Sequence, residues 1–207
     1  MGWKVVCKGA RVIYYSCPFL CFVINRGGIR AVKPEPNYIY TIKDRFFADY
    51  PDPSLKFNKG GGRPHYYAFE GKENDQILWM IPMSTKTEKF ESIIKKRESQ
   101  DKPNDIAHVC KVGSRKSAFV IQDMFPITKD YIRDNYRIEG EPLKLVAKKD
   151  IDAINQKAER IHSLIQKGAK FAKYQVDAQG MEEKLNEKMK TEQKRKLAHA
   201  KRKNMER

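Results

Sequence analysis

Two hydroxyl side chains and a cation follow one another at Ser84, Thr85 and Lys86, directly after an apolar run at residues 77–81. The run contains bulky, strand-favouring residues and predicts a buried strand that ends at Pro82. An amphipathic helical pattern comes next, and hydroxyls with a lysine at a helix N-terminus can hold a phosphate. The alternative is that the hydroxyls only cap this helix, with Thr85 and Glu88 forming a capping box.

A second pair of groups suited to phosphate chemistry, Arg63 and His65, begins the preceding strand pattern at residues 63–69. Residues 71–75 are predicted to form the hairpin turn between the two strands. Antiparallel pairing places the start of the first strand beside the end of the second. We therefore expect Arg63 and His65 to lie close to Ser84, Thr85 and Lys86.

Together these side chains suit the cleavage of RNA without a metal ion. The RNA's own 2′-hydroxyl can attack if one group deprotonates it, cations stabilise the phosphorane and an acid protonates the leaving 5′-oxygen. The predicted catalytic residues are Arg63, His65, Ser84, Thr85 and Lys86. His65 would serve as acid or base; alternatively, it is a strand residue satisfied within the fold.

Other chemistries lack their sequence signatures. The chain contains no Gly-x-x-x-x-Gly-Lys-Ser/Thr loop and no His-Glu-x-x-His motif, and no carboxylate pair suggests a two-metal nuclease, although lone acids do not exclude one. Four cysteines without a paired Cys-x-x-Cys set make a structural zinc site or a disulfide framework improbable. We expect no cofactor, no metal and a cytoplasmic protein.

The charge of the chain points to a polyanionic partner. Lysine and arginine number 42 against 26 acidic residues, a formal charge of +16, and nucleic acid is the usual partner for such an excess. A basic protein with no such partner is the alternative. Aromatic rings beside cations can also stack on unpaired bases, unless they belong to the core. The predicted RNA-contacting residues at this stage are Lys59, Tyr66, Lys89, Arg115 and Lys116.

The elements that must position these residues indicate an α+β fold. Residues 38–42 form a predicted strand, residues 43–50 one or two helical turns, and residues 106–111 and 117–121 a second hairpin around Gly113. Thr128 is expected to cap a helix through Tyr131 and Ile132. From Lys149, apolar positions at helical spacing predict a long amphipathic helix that ends near Gly168.

The two ends of the chain differ from the middle. We expect residues 37–174 to be the folded domain and residues 175–207 to be a basic helical or disordered tail that adds non-specific affinity for phosphate. Residues 1–36 are expected to lie outside the fold, as an upstream extension from a start codon assigned too early. Their apolar run is too short to span a bilayer; a secretory signal or a structured segment are the alternatives.

Five short motifs occur in an order and spacing that resemble one known family. They are Ile-Tyr-Thr-Ile, Arg-Pro-His-Tyr-Tyr, Ile-Pro-Met-Ser-Thr-Lys, Ala-Phe-Val-Ile-Gln-Asp-Met-Phe-Pro-Ile-Thr and Ile-His-Ser-Leu-Ile-Gln-Lys-Gly. Between residues 37 and 171 the chain thereby resembles the ToxN/AbiQ family of type III toxin–antitoxin ribonucleases, proteins of phage defence. The resemblance implies a small antiparallel SH3-like barrel of the MazF/Kid type with added helices.

The resemblance also implies a mechanism and partners. Members of the family cut single-stranded RNA without metal and are held inactive by a repeated RNA pseudoknot antitoxin, in higher-order protein–RNA assemblies. The family's hydroxyl pair falls on Ser84 and Thr85, its lysine on Lys86 with a slip of one position, and its basic strand residue on Arg63. A family tyrosine falls near Phe46, which lacks a hydroxyl, so Tyr50 is the expected substitute in RNA binding.

Two hypotheses of other classes stay open at this point. The protein could be a non-catalytic RNA-binding module that uses the same basic face and tail. It could also be a DNA-binding accessory protein of a mobile element, which would prefer duplex DNA to single-stranded RNA. We expect no membrane partner under any of the three.

Overall fold

The computed structural model describes residues 33–58, 62–171 and 175–205, with side chains described as far as residue 203. The expectations for residues 1–32, including their apolar run, lie outside the described residues. The strands within the described part are β1 (Ile39–Ile42), β2 (His65–Glu70), β3 (Ile77–Ser84), β4 (His108–Val112), β5 (Arg115–Phe119), β6 (Phe125–Thr128), β7 (Ile132–Asn135), β8 (Arg137–Ile138) and β9 (Glu141–Pro142).

The helices lie between and after these strands. They are α1 (Asp44–Asp49), α2 (Thr87–Glu98), α3 (Lys148–Gln166) and α4 (Ala178–Met205), and short 3₁₀ turns occur at Ile121–Asp123 and Lys129–Tyr131. The predicted helix after Thr128 is wrong, because Thr128 makes no capping hydrogen bond and the chain turns after one 3₁₀ turn into β7. Among the described helices, none has the length and apolar character needed to cross a membrane.

Strand β3 is the central strand of the sheet. It pairs with β2 along one edge, and along the other edge with β6 at Ile77–Met80 and then with β5 at Met83 and Ser84. Residues 77–81 are all buried, so both faces of the strand are covered by protein. A strand covered on both faces needs a continuous apolar run, and this is the pattern that the sequence shows.

The predicted α+β class with an antiparallel sheet is confirmed, whereas the closed SH3-like barrel is not. The strand order is β4–β5–β3–β2–β1–β7, with β6 beside β3, and no pairing joins β4 to β7 in the described part of the chain. Helices α2 and α3 pack against β4 instead. The sheet is therefore open, and its central strands position the residues discussed below.

Helix α3 covers one face of the sheet, as its amphipathic pattern predicts. Ile154, Ala158, Ile161 and Ile165 are buried along one side of the helix. The ring of His162 lies 4.4 Å from the fully buried ring of Trp79, centroid to centroid, which fixes α3 over β3.

Helix α4 is built of two unlike halves. Its first half packs on the core through Ala178, Met181 and Leu185, which are all buried. Every residue from 190 to 203 is exposed. The basic C-terminal segment is therefore helical, but its first half belongs to the core rather than to a solvated tail that starts at residue 175.

Candidate functional site

The end of β3 meets the start of β2, as the hairpin prediction requires. His65 pairs with Pro82, and the N–H of Met83 donates to the carbonyl of Pro64 over 3.0 Å. This hydrogen bond brings Arg63, the neighbour of Pro64, to the end of β3. On the other edge of β3, Ser84 pairs with Ala118 of β5.

The hydroxyls of Ser84 and Thr85 do not cap helix α2. The helix begins at Thr87 with Lys86 in the N-cap position, and no side chain makes a capping hydrogen bond. Ser84 Oγ instead accepts a hydrogen bond from the backbone N–H of Lys86, over 3.2 Å. The predicted capping box of Thr85 and Glu88 is therefore wrong, because this short turn moves the start of the helix beyond Thr85.

The result is a set of polar groups exposed at a helix N-terminus. Thr85 and Lys86 are exposed, and Ser84 is half-buried. The first N–H groups of an α-helix have no partner within the helix, and they carry its partial positive charge. Glu88 in the same turn opposes that charge. Hydroxyls, an ammonium group and backbone donors are thus available to an anion at this point.

Arg63 is hydrogen-bonded to the loop that precedes it. Its Nε donates to the carbonyl of Phe57 over 3.3 Å, and its backbone N–H donates to Oδ1 of Asn58 over 3.0 Å. Asn58 in turn donates to the carbonyl of Ile42 and to Oδ1 of Asp44, each over 2.7 Å. The loop is thereby anchored to β1 and holds the half-buried Arg63 beside the end of β3.

A carboxylic acid that the sequence prediction missed, Asp123, lies beside β3. It ends the 3₁₀ turn that follows Val120, whose N–H donates to the carbonyl of Pro82 over 2.9 Å. Burial raises the pKa of the Asp123 carboxyl, while the charges of Lys56 and Lys89 and a hydrogen bond from Gln122 act in the opposite direction. Both lysines therefore face this acid.

The sequence contains one signal that could have identified Asp123. The residue is the one charged side chain in a mostly apolar segment, residues 118–127, and acidic side chains are rarely buried even in part without a reason. Lys56 has no comparable signal, because a lone lysine in a loop does not reveal which residues it faces.

Comparisons with known proteins bear on this fold. No protein-family model and no curated protein sequence matches the chain. Among solved structures, the chain is similar to AbiQ, a lactococcal anti-phage endoribonuclease belonging to the type-III toxin-antitoxin system, with a TM-score of 0.58. The aligned part covers 75% of this chain and 99% of that one, at 14% sequence identity.

The chain has the fold of AbiQ. The resemblance indicated by the five motifs is thus confirmed at the level of the fold, and the greater part of the similarity must lie in structure rather than in identical residues.

Within the AbiQ-like fold, His65 does not reach the surface. Its side chain is 1% exposed and packs edge-on against Phe125, with ring centroids 5.5 Å apart. Burial lowers its pKa to about 3, so the imidazole is neutral. His65 therefore cannot contact RNA. Its position in the core matches the alternative prediction of a strand residue within the fold.

Two tyrosines predicted to contact RNA are also buried. Tyr66 is 0% exposed and donates its hydroxyl to Oδ1 of Asn37 over 2.8 Å. Tyr50 is 6% exposed and packs on Phe46 and Tyr131, with ring centroids 5.4 and 5.8 Å away. Their aromatic rings stabilise the core and are not available for stacking on bases.

The predicted cationic contacts differ in their surroundings. Lys89 is exposed in the first turn of α2, and Arg115 is exposed at the β4–β5 hairpin. Lys116 forms an ion pair with Glu91 of α2. Lys59 lies outside the described residues. The three described cations lie on α2 and β5, the elements next to the end of β3.

One group of side chains in the described part of the chain has the spacing of metal ligands. His108, Cys110 and Asp150 offer ligand atoms within 4.8 Å of one another, and His108 Nε2 lies 2.9 Å from Asp150 Oδ1. Burial raises the pKa of the Cys110 thiol to about 12. A thiol must lose its proton to bind a metal, so this shift opposes metal binding. The group lies on β4 and α3, and β5 runs between β4 and Ser84, because Ala118 pairs with both Val109 and Ser84.

Proposed function

We propose that this protein is an endoribonuclease toxin that cuts single-stranded RNA without a metal ion, by attack of the RNA's 2′-hydroxyl. The observation that carries the proposal is the Ser84-Thr85-Lys86 segment, in which Thr85 and Lys86 are exposed and neither hydroxyl caps α2. The N–H of Met83, just before it, donates to the carbonyl of Pro64, which brings the neighbouring Arg63 to the end of β3. The similarity of the fold to that of AbiQ, an endoribonuclease, supports the same function.

The proposed reaction needs positive charge and hydrogen-bond donors around one phosphate. The 2′-hydroxyl gives its proton to solvent water as its oxygen forms a bond to phosphorus. The bond from phosphorus to the 5′-oxygen breaks and that oxygen takes up a proton, which leaves a 2′,3′-cyclic phosphate and a 5′-hydroxyl. Arg63 and Lys86 would neutralise the phosphorane oxygens, and the hydroxyls of Ser84 and Thr85 would donate to them. Groups placed in advance where charge develops are the most effective stabilisers of a transition state.

The proton for the leaving 5′-oxygen is assigned to Asp123 rather than to His65. A general acid must be protonated near the working pH, and burial raises the pKa of Asp123 in that direction. His65 has the opposite property, because its neutral ring lies in the core. Lys56 and Lys89, which face Asp123, would bind the phosphates on either side of the cut.

Replacing Asp123 by asparagine is expected to slow RNA cleavage by about 100-fold, since the amide has no proton to transfer. In the parent protein the rate should fall as pH rises through the raised pKa of Asp123, because the protonated form is then lost. The variant should lack this decline. The measurement is the single-turnover rate of cleavage across a range of pH.

Asp130→Asn, an exposed carboxylate on the turn after β6, is the matched control for this change. A structural role would lower stability and leave the shape of the pH profile unchanged. An unchanged profile in the Asp123→Asn variant would therefore remove Asp123 from the mechanism.

We further propose that an RNA antitoxin made of repeats, each folded as a pseudoknot, inhibits the protein. The formal charge of +16 favours a polyanionic inhibitor. AbiQ belongs to a type-III toxin-antitoxin system, which supports an antitoxin partner for a chain of the same fold. Short tandem repeats directly upstream of the coding region would identify that RNA.

The purified protein is expected to cleave single-stranded RNA in the presence of EDTA and to leave cyclic phosphate and 5′-hydroxyl ends. Gel analysis of end-labelled RNA, with phosphatase and kinase treatment of the products, distinguishes these ends from others. Cleavage that requires added Mg²⁺ would contradict metal independence. Binding of RNA without cleavage would favour the non-catalytic module, and preferred binding of duplex DNA would favour the accessory protein.

A further inference from the structure

The exposed half of α4, residues 190–203, takes no part in the packing of the residues that the structure describes. From residue 190 to residue 203 every side chain is exposed, whereas Ala178, Met181 and Leu185 hold the first half of the helix on the core. An isolated helix of this length is marginally stable in water. The exposed half therefore depends on the docked half for its direction and for part of its stability.

Polar contacts of Lys188 attach this helix to the body of the protein where the exposed half begins. Lys188 donates to the hydroxyl of Tyr131 over 2.7 Å and lies 3.4 Å from a carboxylate oxygen of Asp49. Its ammonium group is also 5.2 Å from the centre of the Tyr131 ring. These contacts join α4 to α1 and to the turn before β7, and they fix the direction in which the helix leaves the body.

The exposed half is strongly and regularly basic. Between residues 190 and 203 it has seven cations and a single acid, Glu192; the cations are Lys190, Lys194, Arg195, Lys196, Lys201, Arg202 and Lys203. The triplet Lys-Arg-Lys occurs twice, at residues 194–196 and 201–203. Seven residues are close to two helical turns, so each cation of the first triplet has a partner about 10.5 Å along the same side.

The residues of this surface favour a polyanion over a membrane as the partner of the helix. A helix that binds a membrane needs an apolar face, but Leu197 is the only large apolar residue between residues 190 and 203. Cations surround the helix on all sides, and Lys190 and Lys194, four residues apart, repel each other. A polyanion with regularly spaced charges would remove this repulsion.

We infer that the exposed half of α4 binds the phosphate backbone of RNA, outside the cutting site and without regard to sequence. This inference rests on the proposed function, because it gives an RNA-cutting protein a second point of contact with its substrate or antitoxin. The docked half of the helix sets the position of that contact relative to the end of β3. Binding through phosphates alone predicts a strong dependence on salt.

The test replaces the six residues of the two triplets by glutamine, which retains helix propensity. Affinity for a 40-nucleotide unstructured RNA is measured by fluorescence anisotropy across a range of NaCl concentrations. The slope of log K against log salt is expected to become shallower by about 0.7 for each phosphate that the helix no longer neutralises, or about 2 for three phosphates. Replacing Lys95, Lys96 and Lys102, three exposed lysines near the end of α2, by glutamine is the control.

Two results would overturn the inference. One is an unchanged slope in the six-residue variant. The other is an equal change of slope per removed charge in the control, which would show that only net charge matters.

Cleavage of an eight-nucleotide RNA, too short to reach both sites, separates this inference from the proposed function. If the parent cuts it and the slope is unchanged, the inference fails alone. If the parent does not cut RNA but the slope falls only in the six-residue variant, the proposed function fails alone.

Discussion

Replacing Ser84 and Thr85 together by alanine is expected to reduce the rate of RNA cleavage by about 1,000-fold or more. Loss of one well-placed donor to a developing oxyanion commonly costs about 100- to 1,000-fold in rate, and this variant loses two. The fold should persist, because neither hydroxyl caps α2 and Thr85 is exposed. The measurement is the single-turnover rate on single-stranded RNA, with growth arrest on expression as the cellular equivalent.

Ser92→Ala is the matched control for this prediction. Ser92 is a hydroxyl of α2 that donates to the carbonyl of Glu88 in its own helix, over 2.9 Å. Its loss should leave cleavage within about twofold of the parent. Retained cleavage in the Ser84 and Thr85 double variant would refute the assignment of the site, while unchanged RNA binding together with lost cleavage would support it.

Replacing His65 by phenylalanine is expected to make the protein resist acid without loss of cleavage at neutral pH. Burial lowers the pKa of His65 to about 3 in the folded protein, against about 6.5 in an unfolded chain. The unfolded state therefore binds a proton that the folded state does not, and the free energy of unfolding declines as pH falls from about 6.5 towards 3. A shift of this size corresponds to about 5 kcal/mol over that range.

The check is urea unfolding of the parent and the variant at several pH values. Nδ1 of His65 has no hydrogen-bond partner among the described residues, but the ring also interacts with the backbone of Arg63 and Tyr40. The loss of those bonds and the larger phenyl ring lower the free energy of unfolding equally at every pH, so the comparison is made on its change with pH. His162, whose pKa is also lowered by burial, keeps part of the acid sensitivity in the variant. His199→Phe on α4 is the control. A loss of cleavage in His65→Phe with stability intact would return His65 to the mechanism.

The local patterns of the sequence predicted the elements near the site well. The apolar run of β3, the turn after β2 and the spacing of isoleucines in α3 each depend on nearby residues alone, and each predicted element is present. The pairing of His65 with Pro82, which brings the start of β2 to the end of β3, follows from the hairpin in the same way. These features could be predicted because the cause of each lies within a few residues in the sequence.

Burial of β2 could not be predicted from alternation. Alternation along a strand assigns His65 and Tyr67 to one face and Tyr66 to the other, but all three are buried, because protein covers both faces of the strand. Alternation assigns residues to two faces and does not reveal whether either face is open to solvent. The covering groups, among them Phe119 against Tyr66 and Phe125 against His65, come from segments more than 50 residues away.

The start of α2 and the environment of Asp123 could not be predicted from sequence patterns, because each depends on individual contacts. Thr85 and Glu88 have the spacing of a capping box, yet the bond from the Lys86 N–H to Ser84 Oγ moved the helix start. The environment of Asp123 is set by Lys56, Lys89 and Gln122, and the two lysines come from separate segments of the chain. Only the folded structure shows this combination.

Because β3 pairs with three other strands, the candidate site can form only after all of them have been synthesised. One edge is supplied by β2, about a dozen residues earlier, but the other edge needs β5 and β6, which are synthesised more than 30 residues later. A nascent chain that has released only the β2–β3 hairpin from the ribosome therefore has the hydroxyls but not the strand and acid beside them. On the proposed function, this order of synthesis delays RNA cleavage until residue 128 has emerged.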